Sequence, residues 1–175
     1  MSETNPFTQV PMDLSFRVLG ATEAVTSAMQ DKWANSGITV RGVRGRKMRT
    51  TKALFNEVSA DLQFPYYFGE NWDAFDDCIC DLDWLLPTPG IIVLIYGYGR
   101  VRIDDNPKEL ASFISAMGYG MEELSRPVAQ GDSLDRPAVP FHVVLQNDPH
   151  DDFEAAASLW KSSGAKLIAL DLPTE

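Results

Sequence analysis

The chain has 175 residues, a formal net charge of −10, 45% hydrophobic residues and 23% charged ones. That length suits one compact domain over residues 1–175, able to bury a core without disulfide or metal staples. So acidic a chain repels phosphate, which argues against nucleic acid and anionic membrane as main partners and favours basic ones.

Residues 1–12 carry Pro6 and Pro11 among polar side chains and read as a loose lead-in. They show no positive start followed by an apolar run, and no apolar stretch reaches membrane-spanning length, so the expected location is cytoplasmic. Residues 14–20 read as a short strand. Thr22 can cap a helix whose Val25, Ala28, Met29 and Trp33 share one face, with Gly37 as its stop. Residues 38–43 alternate like a strand and open into Arg44, Arg46, Lys47 and Arg49. With Arg41, these make five of the 15 basic residues. Interleaved aromatics are missing there, so the run is expected to balance nearby carboxylates rather than bind nucleic acid. Thr50 or Thr51 then caps a helix with Leu54, Phe55, Val58 and Leu62 on one side, and Pro65 ends it.

Residues 64–84, FPYYFGENWDAFDDCICDLDW, crowd aromatics against carboxylates. Beyond them, residues 90–98 form a continuous apolar run, as in a strand buried on both faces. Asn106, Pro107 and Glu109 make a helix start, and the helix runs to about Ser125 with a weak point at residues 117–120, where two glycines fall. Residues 128–140 read as a loop and 141–146 as a second buried strand. Asp148 and Pro149 start a last helix through Trp160, closed by Gly164, and residues 166–172 form a final strand. Strands alternating with helices predict an α/β layer with a mostly parallel sheet.

The acidic segment divides by geometry. Asn71 can cap its helix, and a rotation of about 100° per residue places Trp72, Phe75, Cys78, Ile79 and Leu82 on one arc. Glu70, Asp73, Asp77 and Asp81 fall opposite, with Asp76 on the flank. Asp73–Asp77 and Asp77–Asp81 are like-charge pairs four apart, each costing a few tenths of a kcal/mol in an isolated helix. A helix needing only solubility would mix in lysines, and this one has none. Three uses compete: a metal site, a hydrolase built on Asp73 and Asp77, and a binding face that mimics nucleic-acid phosphates beside Tyr66, Tyr67 and Phe68. A metal site wants converging ligands, and a hydrolase wants carboxylates pushed apart in pKa by burial. A convex, exposed stripe with tyrosine anchors fits the binding face best. Cys78 and Cys80, two apart on a helix, diverge too much for a mutual disulfide.

The same residues carry a resemblance. An apolar residue and proline, an aromatic pair, Gly69-Glu70-Asn71, an apolar residue, Asp73-Ala74 and then Asp77-Cys78 resemble the signature of the barstar family, intracellular inhibitors of secreted barnase-type ribonucleases. The flanking order of elements extends the likeness over residues 38–146, which would make 1–37 and 147–175 extensions that widen the sheet. The resemblance implies a barstar-like α/β fold, no cofactor or catalysis, and a basic nuclease toxin as partner. It puts an interface tyrosine at Tyr67, with Gly69 allowing close approach, and interface aspartates at Asp73 and Asp77, the second plugging the partner's active site. Tyr66, Glu70, Asn71, Asp76 and Asp81 complete the expected binding surface. Asp76 stands where the family has an interface tryptophan, Trp84 replaces a later one only with an insertion, and the acid of the last family helix falls on Glu122 or Glu123. These departures suggest a different cognate toxin or, beyond inhibition, a regulatory module with another target.

Overall fold

The computed structural model describes residues 5–101, 104, 106, 108–131, 133 and 135–171. Its strands are β1 (Phe16–Gly20), β2 (Thr39–Arg44), β3 (Ile91–Tyr96), β4 (Phe141–Asn147) and β5 (Leu167–Ala169), and they join one sheet in the order β2-β3-β4-β1-β5. Every pairing is parallel. Parallel neighbours need crossovers, and the helices provide them: α1 (Glu23–Asn35), α2 (Thr51–Asp61), α3 (Trp72–Asp81), α4 (Glu109–Leu124) and α5 (Phe153–Ser162). The fold is α/β, as the alternation of strands and helices predicts. Among the described residues no helix is long and apolar enough to cross a membrane.

The central strands explain their own apolar runs. Ile91, Val93 and Ile95 of β3, with Phe141, Val143 and Leu145 of β4, enter a large core under α2, α3, α4 and α5. Ile92, Leu94 and Val144 point the other way, into a smaller core with Trp33 of α1. A strand with period two must be apolar throughout when both faces are covered. Gln146 then ties three strand ends together: its Oε1 accepts from the Gly97 amide at 2.7 Å and its Nε2 donates to the Ala21 carbonyl at 2.6 Å.

Five local readings change. The lead-in is docked rather than loose, although residues 1–4 lie outside the described residues. Phe7 is buried against Trp33 at 5.0 Å, and the Gln9 carbonyl lies 3.0 Å from His142 Nε2. Burial holds that imidazole down to about 4, so it stays neutral. The second change is that α4 runs unbroken through Gly118 and Gly120. A Cβ on Gly120 would collide with Ile79 Cγ2, so the bare backbone lets α4 press onto α3. Third, the last helix is capped by Asp152, whose carboxylate accepts from the Ala155 amide at 3.0 Å, and not by Asp148 and Pro149. Finally, residues 128–140 contain an antiparallel bridge between Val128 and Arg136, and β5 is shorter than expected. Pro107 and Leu172 lie outside the described residues.

Candidate functional site: an acidic helix and an aromatic loop

The loop before α3 is anchored by phenylalanines and presents tyrosines. Phe64 and Phe68 stack edge-on at 5.1 Å and pack against the large core. Between them Tyr66 is fully exposed and Tyr67 is 67% exposed, their rings 5.6 Å apart. Gln63 and Glu70, at the loop's two ends, adopt left-handed backbone with φ of 56° and 48°. Each such non-glycine residue costs on the order of 1 kcal/mol, which the aromatic anchoring offsets.

Asn71 sets the start of α3. Its Oδ1 accepts from the Ala74 amide at 2.9 Å, and its amide donates to the Gly69 carbonyl at 3.1 Å. A Cβ on Gly69 would sit 3.0 Å from that same Asn71 amide, so glycine keeps the cap in place. Trp72 donates its indole N–H to Glu109, which also accepts from Asn106 at 2.9 Å and so links the starts of α3 and α4. Trp84 is half-buried, donating to the Leu62 carbonyl at 2.8 Å; it braces the loop from behind.

Of the arc named above, Phe75, Cys78, Ile79 and Leu82 are buried and Trp72 is half-buried. Glu70, Asp73, Asp77 and Asp81 are exposed. Asp76 differs from them: it is half-buried, and its Oδ1 has no hydrogen-bond partner among the described residues. Burial, then the charges of Asp73 and Asp77, raise its pKa above the ordinary 3.8. Burial and the neighbouring Asp83 raise that of Asp81. Cys80 is pushed up to about 12 by burial and by Glu123, Asp76 and Asp77, which makes it an unreactive thiol. The same influence places Glu123 of α4 beside this flank. Glu122 and Glu123 both pair with Arg126, the latter at 2.8 Å. Arg136, 4.0 Å from Asp83, stands at the far end of the stripe.

The Asp76 shift has a sign. Between 3.8 and its raised value the folded protein binds the proton more tightly than the unfolded chain. Its contribution to stability therefore rises as pH falls through that window, and near neutrality the ionised group is a cost. Asp76→Asn is expected to raise stability near pH 7 by a few tenths of a kcal/mol, the size of one relieved carboxylate pair. Urea unfolding should show the gain shrinking towards about pH 4. A gain that grows on acidification would refute this reading of the buried oxygen.

Helix periodicity separates the faces of α3 but does not reveal the half-buried oxygen of Asp76 or the approach of Glu123, Arg126 and Arg136. The sequence signals were the place of Asp76 on the flank of the helical wheel and, for Glu123, the family resemblance that pointed to Glu122 or Glu123. Asp73 and Asp77 line neither the cleft that contains Glu23, Arg44 and Tyr96 nor the one that contains Gly99, Asp152 and Leu159. Among the described residues no group of three or more His, Cys, Asp or Glu is placed to hold a metal ion.

The parallel sheet thus carries a capped acidic helix beside two exposed tyrosines. The family model described as Barstar (barnase inhibitor) matches residues 38–146, more than half of the chain, and the chain belongs to the barstar family. Members of that family are inhibitors rather than enzymes, and their partners are barnase-type ribonucleases. A comparison with curated proteins finds no match. Among solved structures, one of Drosophila ORC bound to AT-rich DNA and Cdc6 is similar at 16% identity and a TM-score of 0.44, covering 89% of this chain and 48% of that one. Another, of Drosophila ORC bound to DNA, is similar at 15% identity and a TM-score of 0.45, covering 89% and 79%. The chain thus spans about half the length of the first of these, and both likenesses are too weak to bear on function.

Proposed function

We propose that this chain is a cytoplasmic inhibitor of the immunity or antitoxin type, which blocks a ribonuclease or related nuclease toxin by covering its basic active site. The observation that carries this reading is the outward face of α3. Asp73, Asp77 and Asp81 are exposed there, the helix holds no cationic side chain, and two exposed tyrosines adjoin it. A nuclease must gather cations to hold substrate phosphate, and a carboxylate stripe satisfies those cations without being cleavable. Asp77, central in the stripe, enters the phosphate position, while Asp73 and Asp81 meet cations at the rim. Tyr66 and Tyr67 supply rigid apolar contact, and Gly69, Glu70 and Asn71 shape the loop that presents them. Asp76, with one oxygen buried, adds field from the flank.

The test is inhibition of a purified barnase-type ribonuclease, with association rates followed across salt concentration. The expected result is stoichiometric inhibition, with an association rate that falls steeply as salt rises. Absence of inhibition at micromolar concentrations across a panel of basic ribonuclease and nuclease toxins would overturn the proposal.

A further inference from the structure

At the carboxyl ends of β2 and β3 the chain opens a cleft of about 250 Å³, lined by Glu23, Ser27, Arg44, Arg46, Tyr96 and Arg100. Ligands of open parallel sheets sit outside the carboxyl ends of their strands. The cleft shares no residue with the acidic helix or its loop. It gathers three guanidinium groups in a chain with 15 basic residues against 25 acidic ones; two of them are ion-paired, and Arg46 brings the cation that has no carboxylate partner among the described residues.

Two of the three are positioned from outside. Glu57 accepts from Arg44 Nε at 2.6 Å and Nη2 at 2.9 Å, and Asp151 accepts from Arg100 Nη2 at 3.1 Å. Neither carboxylate lines the cleft. Fixed guanidinium groups recognise phosphate with less loss of rotamer freedom than mobile ones. Arg46 has no carboxylate partner among the described residues and is exposed. The Tyr96 hydroxyl donates to Gln30 Oε1 at 2.7 Å and its oxygen accepts a side-chain hydrogen bond from Ser27, so it serves as lining rather than as a ligand contact. The Ser27 oxygen can still accept from a ligand hydroxyl, and among the described residues Glu23 is the one carboxylate in the lining. A bare anion would be repelled by Glu23, whereas a ligand hydroxyl would donate to it. The volume suits one small molecule rather than a dinucleotide.

We propose that this cleft binds a small phosphate monoester bearing hydroxyl groups, with the phosphate on Arg46, Arg44 and Arg100 and the hydroxyls on Glu23 and Ser27. The full chain is titrated calorimetrically with ribose 5-phosphate, inorganic phosphate and ribose. Ribose 5-phosphate is expected to bind, inorganic phosphate more weakly, and ribose not at all. Arg46→Ala, or Arg46→Gln as a second variant, lowers affinity for ribose 5-phosphate about tenfold or more while the unfolding midpoint stays unchanged. Glu23→Gln narrows the gap between ribose 5-phosphate and inorganic phosphate. The proposal is overturned if neither phosphate binds up to about 10 mM, if both Arg46 variants bind as the parent does, or if inorganic phosphate binds more tightly than the ester.

Discussion

Asp77→Ala is expected to weaken the nuclease complex by about 2–5 kcal/mol while leaving the free protein as stable as before or slightly more so. The range is the general one for truncating one member of a desolvated charge pair, and the barnase–barstar pair is itself among the systems that define it. The stability half follows from the helix. Asp77 lies four residues from both Asp73 and Asp81, so its removal relieves two like-charge pairs worth a few tenths of a kcal/mol each. Alanine is also the better helix former at an exposed site. Binding and stability should therefore move in opposite directions, which separates a lost contact from a damaged fold. Calorimetry on the complex and urea unfolding of the free chain measure the two halves. Unchanged affinity would remove Asp77 from the interface, and a parallel loss of stability would show that it supports the helix instead.

Phe75→Ala is expected to cost the free protein about 3–5 kcal/mol, the usual range for deleting a fully buried phenylalanine. Phe75 is 0% exposed and sits where the acidic helix, the tyrosine loop and α4 meet. Its ring lies 5.5 Å from Trp72, 5.6 Å from Phe55 and Phe64, 6.1 Å from Phe113 and 6.4 Å from Phe68. Such a loss is a large share of the 5–15 kcal/mol typical of whole domains. Because Phe64 and Phe68 are the loop's anchors, the cavity should also loosen Tyr66 and Tyr67 and increase amide exchange across residues 63–71. A stability loss under about 1 kcal/mol would mean that the cluster repacks and that other contacts hold the loop.

These two variants divide what was legible beforehand. The apolar arc of α3 and its Asn71 cap depend on residues within a few positions of one another, so periodicity and capping chemistry expose them directly. The strands at β3 and β4 were readable because a central parallel strand is apolar on both faces. Tyr66 and Tyr67 were readable as outward, but Phe68 was grouped with them; that Phe68 turns inward onto Phe55 and Phe64 was not readable, since no period governs an irregular segment. Nor was the docking of Phe7 beside Trp33, which joins residues far apart in the chain.

The sequence by itself determined the caps of α1 and α3, that of α2 to either Thr50 or Thr51, the arc that α3 buries, the alternation of strands with helices, and the barstar signature. Each is written in neighbouring residues, where rotation per residue and capping groups leave a local imprint. Only the tertiary structure decided that β1 and β5 both join the sheet beyond β4. It alone brought α4 onto α3 at Gly120, buried one oxygen of Asp76, and collected arginines from positions 44, 46 and 100 around one cleft with Glu23. Those arrangements depend on which strand pairs with which and how closely two helices approach. Such long-range choices are set by the packing of the whole core, so no local window of the chain contains them.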